Sequence, residues 1–242
     1  MHKIAIACLL VAAACGDSHD KGTVNTASAT TSVTNMAQIR TSMSAGNGAS
    51  AATALQAMTA AGQSIVTPAG QAGRLGLLST EPSRPDGREQ VISGTAECSA
   101  TSCTFNNYGD DTAGSSWLIN GTVSATGDNA KFNLTYKVLT AATSLTWAID
   151  GDVTNSATAI DGNIHSHGVT DIASGSNNPG INVTWDTGLD FNAISVDAQG
   201  CATGGDLHAV VAYSAQAGGN GAAFDVEGTA AFGPTCGTVT AK

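Results

Sequence analysis

The chain has 242 residues, which is long enough for one domain with a buried core and some additional segments. Hydrophobic residues make up 42% of the chain, but charged residues make up only 12%, about half the usual share, which favours β-structure with many turns over charged helical bundles. The net charge of −10 argues against a nucleic-acid partner, and equally against docking on anionic lipid headgroups, because both require a basic surface.

Residues 1–14 have the three-part plan of a secretory signal. His2 and Lys3 provide a positive start, residues 4–11 form an apolar run, and residues 12–14 are alanines. The apolar run is too short to cross a bilayer as a helix, which requires about 20 residues. We therefore predict a signal peptide over residues 1–14.

Cys15 follows the alanines directly, and residues 11–15 resemble the lipobox of bacterial lipoproteins, with Ala12 where a leucine is usual. This resemblance implies that the Cys15 thiol receives a diacylglycerol, that the signal is removed, and that the new N-terminus is acylated, typically with palmitate. One acyl chain holds a protein only marginally, whereas two or more hold it firmly. The alternative is ordinary cleavage after the alanines, which leaves Cys15 as a free thiol.

The residue after the cysteine bears on which membrane carries the protein. In the family, an aspartate at that place favours retention in the inner membrane. Here Gly16 occupies it and Asp17 follows one position later. The resemblance therefore implies a lipid-anchored protein of the cell envelope, in the outer membrane rather than the inner, with the bilayer as a partner through acylated Cys15.

Three segments separate this signal from the body of the protein. Residues 15–31 are polar and small, which predicts a lipidated flexible tether. Residues 32–66 have apolar positions at helical spacing, which predicts two short helices, with Thr31 or Ser32 as the first cap. Both helices are poor in large apolar residues, so we expect them to dock on the rest of the chain. Residues 67–89 contain prolines and glycines and predict an irregular linker.

The remaining residues, 90–242, show a period of two, which indicates half-buried strands. In the clearest example, Phe132, Leu134 and Tyr136 alternate with polar residues. Turn residues separate the successive apolar runs. The segment therefore predicts a single antiparallel β domain, a meander of about ten strands.

A short pattern of aromatic, aliphatic and glycine residues recurs in this domain. Its copies are residues 117–123, 147–153 and 224–230. Gly121, Gly151 and Gly228 would share a face with the aromatic residue of each copy, where a glycine lets the sheet bend or another backbone come close. We therefore expect a mainly β fold in which the meander forms a curved sheet or open barrel, with the N-terminal helices packed on it, alanine against glycine.

Four cysteines remain after Cys8 and Cys15 are set aside. In an oxidising compartment they predict two disulfides, for which three pairings are possible. The short spacing of Cys98 and Cys103 favours their local pairing, which leaves Cys201 to pair with Cys236. A zinc site is the alternative for the four thiolates, but the chain has no CxxC pair.

The histidines provide the sharpest metal-like pattern. His165 and His167 would point the same way from one strand, and His208 could join them from another. A solvated outer face explains the same spacing, because apolar residues alternate with the pair. The sequence therefore predicts no metal and no cofactor, with His165, His167 and His208 as the residues to inspect.

Three functions remain open. The first is a non-enzymatic interaction or structural module of the envelope, since serine-hydrolase and phosphate-binding motifs are absent from the sequence. The second is a carrier of a hydrophobic ligand in the hollow of the curved sheet. The residues expected to line that hollow are Trp117, Phe132, Tyr136, Trp147 and Trp185. The third is a hydrolase with a carboxylate pair distant in sequence. The first two functions imply a protein or a hydrophobic ligand as the partner.

Overall fold

A computed structural model describes residues 20–68, 92–99, 101–112, 114–175 and 179–242. Within these ranges the protein is mainly β, with two helices packed on a large sheet of eleven strands. The sheet is mostly antiparallel, and its two edges are not paired with each other. The expected fold class, a curved antiparallel meander with helices packed on it, is confirmed.

Nine consecutive strands form the meander, each hydrogen-bonded to the next. They are β4 (Ile92–Cys98), β5 (Ser102–Thr112), β6 (Ser115–Thr126), β7 (Asn129–Thr140), β8 (Thr143–Asn155), β9 (Ala159–Ile172), β10 (Ile181–Val196), β11 (Ala202–Ala217) and β12 (Asn220–Phe232). Their side chains alternate between the two faces as the sequence predicts: on β7, Phe132, Leu134 and Tyr136 are buried, whereas Lys131 and Asn133 are exposed.

Four short strands complete the β-structure. They are β1 (Asp20–Lys21), β2 (Thr23–Val24), β3 (Val66–Thr67) and β13 (Val239–Ala241). β1 pairs in parallel with Val226 and Glu227 of β12, and β13 pairs with the same strand further along. β2 and β3 form a separate two-stranded sheet. The N-terminal part of the described chain is therefore attached to the last long strand of the meander.

The helices are α1 (Thr26–Ser44) and α2 (Gly48–Gly62), and α1 begins inside the segment predicted to be a flexible tether. The predicted tether is therefore wrong for residues 20–31, which contain β1, β2 and the first turns of α1. The cap is Asn25 rather than Thr31 or Ser32, and its side chain accepts hydrogen bonds from the N–H groups of Ala27 and Ser28. This polar start has no apolar periodicity, so the hydrophobic pattern does not reveal it.

No helix among the described residues is long and apolar enough to cross a membrane. The signal peptide and Cys15 lie outside the described residues, as do most of the predicted linker, residues 69–89. These assignments therefore stay predictions.

The two helices lie on the concave face of the sheet. Between them they contact strands from β5 to β13, a span of more than 30 Å in a flat sheet at about 4.8 Å per strand, whereas two helices side by side cover about 20 Å. The sheet must therefore curl around the helix pair. The long apolar residues of α1, Val33, Met36, Ile39 and Met43, are buried in the resulting core.

Three hydrogen bonds fix the helices in this hollow. The Ser32 hydroxyl donates to the carbonyl oxygen of Met58 at 3.2 Å and joins the helices to each other. The buried Asn155 side-chain amide on β8 donates to the carbonyl oxygen of Met36 at 2.7 Å. The Tyr136 hydroxyl on β7 does the same for α2, as described below. Each bond satisfies a polar group that would otherwise be buried without a partner.

The expected packing of helix alanines against sheet glycines is not what the structure contains. A Cβ added to Gly228 would lie 2.7 Å from Val24 Cγ2 and 3.3 Å from Val66 Cγ2, so this glycine makes room for the β2–β3 pair. Conversely, α2 comes closest to the sheet at its own Gly62, which packs against Leu189 of β10. The predicted contact is therefore reversed here, since the glycine belongs to the helix and the large residue to the sheet.

Both favoured disulfides are present. Cys98 and Cys103 are directly opposite each other in the β4–β5 hairpin. The Cys201–Cys236 disulfide connects the start of β11 to the segment after β12, with a Cα–Cα distance of 5.6 Å. The second disulfide thus links the chain just before β11 to the segment between β12 and β13.

Candidate functional site

An aromatic row crosses the concave face at right angles to the strands. The pairing register places one residue from each strand β5–β12 in this line: Tyr108, Ile119, Tyr136, Trp147, Gly168, Trp185, Tyr213 and Phe224. Six of the eight are aromatic, in a chain with only 5% aromatic residues. The row therefore gathers most of the large flat side chains of the protein in one band.

The ring contacts within the row are close. Tyr136 and Trp147 have ring centroids 5.8 Å apart, and Tyr213 stacks on Phe224 at 5.2 Å. Trp147 and Trp185 belong to β8 and β10, which are not neighbours, yet their centroids are only 6.4 Å apart. Gly168 of β9 lies between them, and a Cβ there would come within 1.9 Å of the Trp185 ring. Because Gly168 has no side chain, the Trp185 indole can lie across β9 towards Trp147.

The row divides the concave face into two halves. On the helix side, the neighbouring line of inward residues is buried: Leu134, Ile149, Ser166, Thr187, Val211 and Val226. On the other side the line is mixed, since Trp117 and Val138 are half-buried and Leu145 and Val183 are buried. Within the row, Trp185, Tyr213 and Phe224 are also half-buried. The row is therefore the border between a packed core and a more accessible apolar surface.

The predicted ligand-lining residues fall on both sides of this border. Trp117, Tyr136, Trp147 and Trp185 form a continuous chain of ring contacts, the first being 6.2 Å between Trp117 and Tyr136. Phe132 is apart from them, buried opposite Gly151 on the helix side. α2 covers Tyr136, so Phe132 and Tyr136 both belong to the core. The accessible part of the predicted set is Trp117 and Trp185.

Four buried polar atoms lie where the row meets the helix side. They are the indole nitrogens of Trp147 and Trp185 and the hydroxyl oxygens of Ser166 and Thr187. None of them has a hydrogen-bond partner among the described residues. Ser166 and Thr187 are directly opposite each other, and the two tryptophans flank Gly168 in the next line. The four residues thus lie on three neighbouring strands, in two adjacent lines of the sheet, and each buried polar group without a partner costs about 1–3 kcal/mol.

Burial also changes the pKa of two tyrosines of the row. Desolvation raises the pKa of Tyr136, whose ring is completely buried, well above its usual value. The same cause raises the pKa of Tyr213 to about 12. Both phenols therefore stay neutral throughout the physiological range and act here as apolar rings with a hydrogen-bonding tip.

The convex face carries the predicted histidines. His165 and His167 project outwards from β9 and are about half-exposed, with 52% and 49% of their side chains accessible. One carboxylate oxygen, Oδ1 of Asp186 on β10, lies 2.8 Å from His167 Nδ1 and 3.7 Å from His165 Nε2. The other ring nitrogen of His165 lies 3.6 Å from Asp150 Oδ1 on β8. The pair that the sequence singled out therefore shares one carboxylate from the adjacent strand.

His208 does not join this pair. Its ring lies between Asp190 of β10, at 3.4 Å, and Glu227 of β12, at 3.5 Å. It therefore belongs to a separate exposed cluster with its own carboxylates.

Two further places have features of sites. Asp197, Cys201 and Cys236 have potential ligand atoms close together, but both sulfurs form a disulfide, and Asp197 Oδ1 accepts the N–H of Cys201 at 2.9 Å. An open cleft of about 510 Å³ between β4 and β5 is lined by Ser93, Gly94, Thr95, Asn106, Asn107, Asp111 and Leu118. One carboxylate lines it, whereas paired-acid hydrolysis needs two.

Sequence reasoning missed Ser166, Thr187, Tyr213 and Phe224 as residues of a site. Strict alternation places Ser166 on the inner face between two outward histidines, and this was a usable signal. The alignment of Tyr213 and Phe224 with the tryptophans depends on strand register, which alternation alone does not provide. No family model, curated protein or solved structure matches this chain.

Proposed function

We propose that this protein is a membrane-anchored, non-enzymatic binding protein of the bacterial cell envelope, which holds an amphipathic ligand at the aromatic row. The anchor rests on the resemblance of residues 11–15 to a lipobox. The binding role rests on the concave face. An interaction or structural role without a small ligand is the competing form of this proposal.

One observation carries the binding role. The indole N–H groups of Trp147 and Trp185 and the hydroxyls of Ser166 and Thr187, on adjacent lines of three neighbouring strands, are buried without partners among the described residues. Buried polar groups in proteins are nearly always hydrogen-bonded, so a cluster of them calls for an explanation. A ligand group at this place would satisfy several of them at once.

The chemistry of the cluster limits the ligand. An indole N–H is a donor only, so the ligand must offer an acceptor, such as a carbonyl, ester or ether oxygen. The half-buried rings of Trp117, Trp185 and Phe224 offer flat apolar surface beyond the cluster. An acyl chain or other apolar body joined to one acceptor group fits both features. The acidic net charge favours a neutral or cationic head over an anionic one.

The position of the helices limits where such a ligand is held. α1 and α2 occupy the hollow on one side of the row, and Tyr136 and Asn155 attach them there. The body of the ligand therefore belongs to the open side of the row, and only its acceptor group would extend past the row towards Ser166 and Thr187. This differs from a carrier in which the whole curved sheet encloses the ligand.

A hydrolase remains the third possibility. Its clearest location is the cleft between β4 and β5, where Asp111 is the only carboxylate among the described lining residues. Of the other carboxylates discussed above, Asp197 accepts the N–H of Cys201, and the rest lie on the convex face beside histidines. These features support binding over hydrolysis, so we keep the non-enzymatic role as the proposal.

The experiment is native mass spectrometry of the lipoprotein, extracted with mild detergent from its own membrane. We expect a retained small molecule in the wild type. Its retention should fall in Trp185→Phe, which removes one indole donor and keeps an aromatic ring. Trp117→Phe is the matched control, because its indole nitrogen is not one of the four partnerless atoms.

Equal retention in both variants would contradict the assignment of the ligand to this cluster. Finding only protein, lipid anchor and disulfides in the wild type would favour the interaction or structural role. The anchor is tested separately on the same sample. The mature chain should carry the mass of its acyl groups, and Cys15→Ala should abolish both that mass and membrane attachment.

A further inference from the structure

We infer that the convex face holds a divalent transition-metal site, with His165, His167 and Asp186 as its ligands. The site would take Zn²⁺ or Cu²⁺, since neutral imidazole and carboxylate are ligands of both. It lies on the face opposite the aromatic row and does not depend on the ligand proposed there.

The backbone supplies the arrangement. His165 and His167 lie two residues apart on β9, so both imidazoles project from the same face of the sheet. Ile164 and Ser166, which alternate with them, are each only 1% exposed, so the strand cannot turn the histidines inwards. Asp186 is directly opposite His167 on β10. Two hydrogen-bonded strands thus hold the three side chains on a rigid surface.

The separations require a small rearrangement for coordination. Two ligand atoms bound tetrahedrally at about 2.0–2.1 Å are about 3.3 Å apart. The two imidazole nitrogens lie 2.8 and 3.7 Å from the same Asp186 oxygen, but they are more than 4.8 Å from each other, so the two rings must move closer together to share one cation. All three side chains are about half-exposed, so small rotations about their own bonds can bring them to one cation. These rotations do not disturb the buried face.

The surroundings favour a cation. Asp150 lies 3.6 Å from the second ring nitrogen of His165, close enough that a small movement would let this carboxylate accept a hydrogen bond from a metal-bound imidazole. Asp190 and Glu227 lie beyond it on the same face, around His208. This group of carboxylates attracts cations to the convex face, and the histidine pair distinguishes one place within it.

Solvated side chains on an outer face are the competing explanation, and the test must separate them from a site. The lipoprotein in detergent is dialysed against a chelator, and ZnCl₂ is titrated into it by calorimetry at neutral pH. We expect one Zn²⁺ per chain at this site. His165→Asn, His167→Asn and Asp186→Asn should each weaken binding about tenfold or more.

Two controls are matched in chemistry. His208→Asn removes an imidazole that is similarly surrounded by carboxylates, and Asp190→Asn removes one negative charge from the same strand as Asp186. Both should leave the affinity within about twofold of the wild type. All five substitutions are at exposed or half-exposed positions, and circular dichroism verifies that each variant is folded.

A spectroscopic measurement provides the second readout. In proton NMR, the imidazole resonances of His165 and His167 should move on addition of Zn²⁺, and those of His208 should not. Equal losses of affinity in the site and control variants would mean diffuse attraction to an acidic surface and would overturn the inference. The absence of saturable Zn²⁺ binding would overturn it as well.

Discussion

The phenolic O–H of Tyr136 on β7 donates a hydrogen bond to the backbone carbonyl oxygen of Ala52 in α2, at 2.7 Å. Tyr136 is also a member of the aromatic row, with its ring completely buried. One side chain therefore joins the helix pair to the sheet and contributes to the row at its border with the core. The place where the helices stop covering the concave face is determined in part by this contact.

Tyr136→Phe tests that contact. The substitution keeps the ring and removes the hydroxyl, so the free energy of unfolding should fall by about 0.5–1.5 kcal/mol, the usual net value of one hydrogen bond, or somewhat more because the carbonyl is buried. Denaturant unfolding measures the change. Tyr213→Phe is the control, since the described residues give the Tyr213 hydroxyl no partner, and it should change stability by less than Tyr136→Phe does.

Alkaline pH should destabilise the protein through the same residues. Burial raises the pKa of Tyr136 and raises that of Tyr213 to about 12, whereas an unfolded tyrosine ionises near pH 10. Below pH 10 both states are neutral and the stability is unaffected. Above it the unfolded chain loses protons that the folded chain retains, so the free energy of unfolding falls as pH rises.

Denaturant unfolding between pH 9 and pH 11 checks this expectation, with absorbance at 295 nm following phenol ionisation. The decline should be shallower in Tyr136→Phe than in the wild type, since one abnormal phenol is gone. An ordinary titration of all three tyrosines in the folded protein would contradict it.

Removing a partnerless hydroxyl should have opposite effects on stability and on ligand retention. Thr187→Val removes a buried hydroxyl without a partner at nearly constant shape, so the ligand-free protein should be unchanged or up to about 1 kcal/mol more stable. Retention of the ligand should fall in the same variant.

A threonine with a satisfied hydroxyl provides the comparison. Thr59 of α2 is just as buried, but its hydroxyl donates to the carbonyl oxygen of Leu55 at 3.1 Å. Thr59→Val should therefore give no gain in stability and should leave ligand retention unchanged. If Thr187→Val lost as much stability as the removal of a hydrogen-bonded hydroxyl usually costs, the Thr187 hydroxyl would have a partner, and the expectation would be wrong.

Gly168→Ala should displace the Trp185 ring. The added methyl group would overlap the indole, and overpacking of this kind costs about 1–3 kcal/mol. Tryptophan fluorescence should move to longer wavelength as the indole becomes more exposed. Gly188→Ala on the neighbouring strand is the control, because a Cβ there meets no heavy atom within 4 Å. Similar effects from both substitutions would mean that the glycine is needed for its backbone and not for the ring.

The two disulfides should differ in their contribution to stability. Loss of loop-closure entropy in the unfolded chain gives about 4 kcal/mol for Cys201–Cys236, which closes the longer loop, and about 2 kcal/mol for Cys98–Cys103. Paired Cys→Ser substitutions, compared by thermal unfolding, measure the difference. A larger loss from the Cys98–Cys103 pair would contradict the entropic account.

The strands were predictable because alternation identifies them directly, as in Phe132, Leu134 and Tyr136. The start of α1 was not, since Asn25 and the following threonines form a helix without an apolar stripe. There the hydroxyls of Thr30 and Thr31 donate to carbonyl oxygens four residues earlier, which replaces water on the polar side of the helix.

The candidate sites were predictable only within single strands. The shared face of His165 and His167 follows from their spacing, but their contact with Asp186 depends on how β9 is aligned with β10. That alignment is set where the chain turns between β9 and β10, and register shifts interrupt the pairing further from the turns, between Phe191 and Ile194 and between Phe105 and Tyr108. Alternation specifies neither the turns nor the shifts, so the transverse row could not be derived from it.

The pairing of β1 with β12 has a consequence for the reach of the protein. With Cys15 acylated as proposed, the segment up to Asp20 extends at most about 18 Å, at about 3.6 Å per residue. That maximum length is short compared with the bilayer thickness of about 40 Å including headgroups. The β12 edge of the sheet would be kept next to the membrane surface, and the domain could not travel to a second membrane. Any ligand would have to be collected from, or delivered to, the leaflet that holds the anchor or a partner that comes to it.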